Sequence, residues 1–107
     1  MPFSSNFTRV SLGDDPDGGT AMFVEGRTDD TAEPPKSIHV IVPHNGMPLT
    51  ATVENPTLTD WEVMFPNGRP PFAEGDTVFV VGVAMRDEPH DPFVWDGSFA
   101  LEPKEEP

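Results

Sequence analysis

Gly75-Asp76-Thr77-Val78-Phe79-Val80-Val81-Gly82-Val83-Ala84-Met85-Arg86 reads as a β-strand entered from a turn. Its β-branched and aromatic side chains fit a pleated surface and lose rotamer freedom in a helix. Its internal glycine weakens a helix further, and Gly-Asp at its start is turn chemistry. Outward from this stretch the same kind of run recurs. Phe93 to Glu102 follows it; before it lie Trp61 to Phe65, Pro48 to Glu54, Ser37 to Val42, Thr20 to Arg27 and Phe7 to Leu12. Turn residues separate the runs: Gly13-Asp14-Asp15-Pro16-Asp17-Gly18-Gly19, the polar segment from Thr28 to Lys36, His44-Asn45-Gly46, Asn55-Pro56, and the corner Pro66 to Asp76. Fourteen prolines and nine glycines in 107 residues leave few windows for a helix. Seven short runs with alternating apolar residues predict an all-β, seven-stranded antiparallel two-sheet sandwich. A closed small barrel is the main rival; in its oligonucleotide-binding form, which Phe72 to Gly82 could open, it has five strands and usually a helix, and neither fits here.

The length suits one domain with one core: residues 7–102, with residues 1–6 as an arm and 103–107 as a frayed acidic tail. There is no cysteine, so disulfides, thiolate metal sites and a cysteine nucleophile are excluded. The N-terminus has no basic segment followed by an apolar one, and no apolar run approaches the ~18 residues of a membrane helix, which makes the cytoplasm the default expectation. Nineteen acidic residues against six basic ones give a formal charge of −13, which disfavours contact with nucleic acid or anionic lipid.

Four segments, in this order and spacing, carry a resemblance: Met22-Phe23-Val24-Glu25-Gly26, Ile38-His39-Val40-Ile41-Val42, Trp61-Glu62-Val63, and Gly75 through Asp87. They resemble strands two, three, five and six of bacterial immunoglobulin-like repeats from large surface proteins. Those repeats end strand two with glycine and open strand five with tryptophan. The resemblance spans about residues 20–100 and implies an immunoglobulin-like sandwich whose members space, display or bind. The corner before strand six is longer here, and the chain holds a single copy, so adhesin function does not carry over.

Alternation points Val10, Leu12, Met22, Val24, Ile38, Val40, Val42, Leu49, Ala51, Val53, Trp61, Val63 and Phe65 inward, with Trp95, Phe99 and Leu101. In the sixth strand it selects Phe79, Val81, Val83 and Met85, the bulkier set, for the core. The opposite face of that strand is also apolar, where an exposed sheet face should be polar. With strands three, six and seven adjacent, as in immunoglobulin-like topology, Ile41, Val78, Val80, Ala84, Val94 and Ala100 form one outer patch. Its expected role is contact with a protein partner or a second copy, unless Phe3, Phe7 or the tail folds over it. Gly97-Ser98 is expected to mark a bulge.

Chemistry-bearing constellations are sparse. Asp14, Asp15 and Asp17 before Gly18-Gly19 resemble part of a calcium loop, although Pro16 interrupts it and the distant glutamate is missing. A second candidate metal cluster comprises Asp29, Asp30, Asp60, Asp87 and Asp91, with Glu33 and Glu88, if three loops meet at one end. Lys36, Arg86 and His90 would partly neutralise it, or it would dock a basic partner. His39, His44 and His90 lack metal-ligand spacing, with His39 expected to face outward. No serine stands on a glycine-flanked elbow, so no catalytic residue is assigned. The expectation is a non-catalytic binding or assembly module without a cofactor. A calcium- or carbohydrate-dependent recognition domain and an acidic mimic of nucleic acid are the alternatives.

Overall fold

The computed structural model describes residues 4–29, 34–43, 46, 48–57, 59–65, 72–87 and 91–103. These form an all-β fold of seven strands: β1 (Ser4–Asp14), β2 (Thr20–Asp29), β3 (Ser37–Val42), β4 (Leu49–Glu54), β5 (Asp60–Phe65), β6 (Thr77–Met85) and β7 (Phe93–Ala100). Two antiparallel sheets result, one of order β1-β2-β5 and one of order β4-β3-β6-β7. Strand β1 begins at Ser4, so residues 4–6, expected as an arm, belong to the first sheet and pair with the end of β2. Beyond β7 the chain crosses back to the first sheet, where the Leu12 amide donates to the Glu102 carbonyl and the Glu102 amide to the Val10 carbonyl, both at 3.0 Å. That crossing closes one side of the sandwich.

The centre of the core is aromatic and draws on both sheets. Phe7, Gly26 and Trp61 lie abreast on β1, β2 and β5. Trp95 of β7 faces them, with ring centroids 5.1 Å from Phe7 and 6.1 Å from Trp61. The Phe7–Trp61 and Trp61–Trp95 pairs meet edge to face, the arrangement favoured by the ring quadrupole and worth about 0.5–1.5 kcal/mol beyond area burial. Each tryptophan occupies space above a glycine. A Cβ on Gly26 would stand 2.2 Å from the Trp61 indole, and one on Gly82 would stand 2.5 Å from Trp95. Trp61 donates its indole N–H to Thr28 Oγ1 at 3.0 Å, and the Thr28 and Ser5 hydroxyls bond at 3.1 Å, whereas the buried Trp95 indole N–H has no hydrogen-bond partner among the described residues.

These contacts reverse the expected facing of β6. Because Gly82 pairs with Trp95 in register, it must share the inner face with it. Val78, Val80 and Ala84 therefore lie inside, each without solvent exposure, whereas Phe79 and Met85 are exposed. The inner set is the smaller one because Trp95, Trp61 and Phe7 already occupy the volume between the sheets. The other inward assignments on β1 to β5 and β7 pack in or against the core.

Two further differences follow from packing. The irregularity lies in β1 and not at Gly97-Ser98: pairing shifts between Phe7 and Arg9, which makes Thr8 the extra residue. Phe7 and Val10, three positions apart, are both buried because the bulge resets the alternation between them. Gly97 stays in continuous register opposite Val80 and makes room for the Phe99 ring, which would lie 2.8 Å from a Cβ there.

Gly82→Ala and Gly26→Ala are each expected to lower unfolding free energy by about 2 kcal/mol in denaturant titration through overpacking against the indole. Trp95→Leu combined with Gly82→Ala should cost less than the sum of the single changes, because both act on one contact. Val80→Asp places an unpaired charge in the core and should abolish the cooperative unfolding transition.

Candidate functional site

The two sheets turn different chemistry toward solvent. On the outer face of the four-stranded sheet, register builds transverse rows. Thr50, Ile41, Val81 and Asp96 form one, and Thr52, His39, Val83 and Val94 the next. Phe79 with Ser98 lies on one side of these rows, and Met85 with Ser37 and Glu54 on the other. Six apolar side chains, Ile41, Phe79, Val81, Val83, Met85 and Val94, are thus contiguous across β3, β6 and β7. Val94, on the edge strand β7, is 62% exposed, and Phe79 and Met85, on the inner strand β6, are 45% and 38% exposed. On the β4 side the face is polar but internally satisfied: His39 Nδ1 meets Thr52 Oγ1 at 3.0 Å and Nε2 meets Ser37 Oγ at 3.2 Å.

Of the residues expected to form the patch, Ile41, Val94 and Ala100 lie on this outer side. Val78, Val80 and Ala84 do not; they face the core, and Phe79, Val81, Val83 and Met85 take their place. Phe7 packs in the core and does not cover the patch. Phe3 and the tail from residue 104 lie outside the described residues.

The outer face of the three-stranded sheet carries a charged row beside a row of Ser11, Phe23 and Met64. Arg9, Glu25 and Glu62 stand in one row across β1, β2 and β5. Arg9 Nε lies 3.1 Å from Glu102 and Nη1 3.7 Å from Glu25. Beside them Phe23 covers Gly13, where a Cβ would be 2.6 Å from the ring. Together with Ser11, Leu12 and Asp14 these residues line an open groove of about 370 Å³. Partial burial, reinforced by Glu25 and opposed by Arg9, raises the Glu62 pKa. None of this row stood out in the sequence, because arginine and glutamate on a strand read as ordinary surface; only the register brings them abreast.

The aspartates considered as metal ligands are dispersed. Asp15 is buried and holds its own turn: its carboxylate accepts the Asp17 amide at 2.9 Å, and its carbonyl accepts the Gly18 amide at 2.8 Å. This is an Asx-type turn in which one oxygen of the carboxylate takes a backbone hydrogen bond. Asp29 and Asp60 flank Arg27 at 3.6 and 3.9 Å, Asp87 pairs with Lys36 at 3.0 Å, and Asp91 is exposed. Asp30, Glu33, Glu88, His44 and His90 lie outside the described residues. Among the described residues no three histidine or carboxylate side chains converge as metal ligands.

Comparison with protein-family models, with curated proteins and with solved structures returns no match. The outer face of the four-stranded sheet is therefore characterised by its own geometry. One sequence signal for its true membership existed. A glycine facing a tryptophan across the β6–β7 hairpin marks the side on which the bulky ring must lie, and Gly82 with Trp95 has that relation.

Glu62 supplies a pH test of the charged row. Its folded-state pKa is raised, so its contribution to stability is fully present below the unfolded-state pKa and is lost as pH rises through the folded-state value. Glu62→Gln should raise the melting temperature at neutral pH. The gain should vanish below about pH 4, where the wild-type carboxyl is protonated in both states.

Proposed function

We propose that this chain is an immunoglobulin-like sandwich acting as a non-catalytic protein-docking or assembly module, with the outer face of the four-stranded sheet as its contact surface. The strand order supports the immunoglobulin-like reading: β1-β2-β5 opposes a sheet in which β3, β6 and β7 are neighbours. The observation that carries the docking role is the continuity of Ile41, Phe79, Val81, Val83, Met85 and Val94 in register across three strands. Single exposed apolar residues are ordinary, but a contiguous patch rimmed by polar groups has the anatomy of an interface core. The fold does not require these side chains outside, since the core is closed by the opposite face of β6. A contact role accounts for them.

A photo-crosslinking amino acid at Val94, in the cells that make the protein, should give a discrete adduct that Val83→Asp removes. The same probe at Asn6, on the other sheet, should not give it. Identical adducts from both positions, or none from Val94, would remove the basis of the docking role.

A further inference from the structure

Resting on that docking role, we infer that the sheet face receives a protein whose own contact surface is apolar at its centre and basic at its rim, with Asp96 pairing a lysine or arginine of that partner. Asp96 sits on β7 between Val94 and Ser98, directly opposite Val81. It is exposed, and among the described residues no cation pairs with it. Asp96 lies on the edge strand of the sheet, so a partner covering Val81 and Val94 brings its rim against this carboxylate. A carboxylate desolvated there without a counter-ion is costly, so a fitting partner supplies a cation at that rim.

The rim points the same way. Four strands at about 4.8 Å spacing and roughly 20 Å long present about 400 Å² of plane, against roughly 800 Å² per partner in a standard interface. A stable contact thus reaches past the apolar centre to the strand ends. The described charged residues on these strands and at their ends are Glu54, Asp76, Asp87, Asp91 and Asp96 against Lys36 and Arg86. Lys36 is held by Asp87 at 3.0 Å. This surplus, within a chain of formal charge −13, attracts a basic surface and speeds its approach.

A second copy fits less well. A two-fold contact would bring two chains of charge −13 together and cover both copies of Asp96. Of the other ionisable groups described on the face, Glu54 is acidic and His39 has both ring nitrogens engaged by Ser37 and Thr52. Neither therefore offers a copy's Asp96 a ready counter-ion.

The test uses the full chain, immobilised, with a library of short random peptides selected on the wild type and counter-selected on Val94→Asp. Val94 is 62% exposed, so that variant should keep its fold, checked by its melting temperature. The expected outcome is enrichment of apolar peptides carrying more lysine and arginine than the input library, with binding weakened about tenfold by Asp96→Asn and further by added salt. Enriched peptides that are neutral or acidic would overturn the charge inference and leave the docking role standing. If no peptide distinguished wild type from Val94→Asp, the docking role would fall and this inference with it. A concentration-dependent dimer in sedimentation velocity, split by Val94→Asp, would make the occupant a second copy and overturn the basic partner.

Discussion

Two tryptophans seated over two glycines govern the arrangement of this protein. Trp61 of β5 lies above Gly26 of β2, and Trp95 of β7 above Gly82 of β6, so each sheet contributes one ring to a shared centre that Phe7 completes. An indole needs more room than the facing strand can give unless a residue opposite has no side chain, and interiors packed to crystal-like density leave no other space. The bulge at Thr8 serves the same centre. It lets Phe7 point inward while Val10 keeps its place three residues later.

The character of the outer faces follows from the inside. Once Trp95 fixes Gly82 inward, Val78, Val80 and Ala84 go with it, and Phe79, Val81, Val83 and Met85 are left outside. The fold thus spends its small residues on the core and carries bulky ones on a solvent face. On the other sheet Arg9, Glu25 and Glu62 occupy equivalent outward positions. The molecule is therefore two-sided, with a charged row on the three-stranded sheet and an apolar face with an acidic rim on the four-stranded one. That asymmetry gives the four-stranded sheet its candidacy as a docking surface.

Much of the architecture was legible in the chain. The Ser37–Val42 strand stands between Pro43 and a polar loop, and its period-two pattern admits a single facing, with Ile38, Val40 and Val42 buried. Strand β5 reads equally well, since Trp61, Val63 and Phe65 alternate with Glu62 and Met64. The apolar patch was legible only in part. Ile41, Val94 and Ala100 lie outward as the pattern requires, but β6 is apolar on both sides, so alternation fits either facing, and the set it was read to put inside lies outside. The aspartates show a different limit. Asp15 has the composition of a metal-loop residue, yet its carboxylate caps its own turn, and Asp29, Asp60 and Asp87 meet arginine or lysine side chains.

By itself, the sequence determined the strand class, the seven segments and the acidic balance, because these follow from local conformational preference and from charge summed along the chain. Tertiary structure alone decided the facing of β6, the row of Arg9, Glu25 and Glu62, and the placement of Asp96 among apolar side chains. Each depends on which residues of different strands come opposite one another. Local preference does not carry that information where both faces of a strand are apolar; ring-sized volumes meeting across the core do.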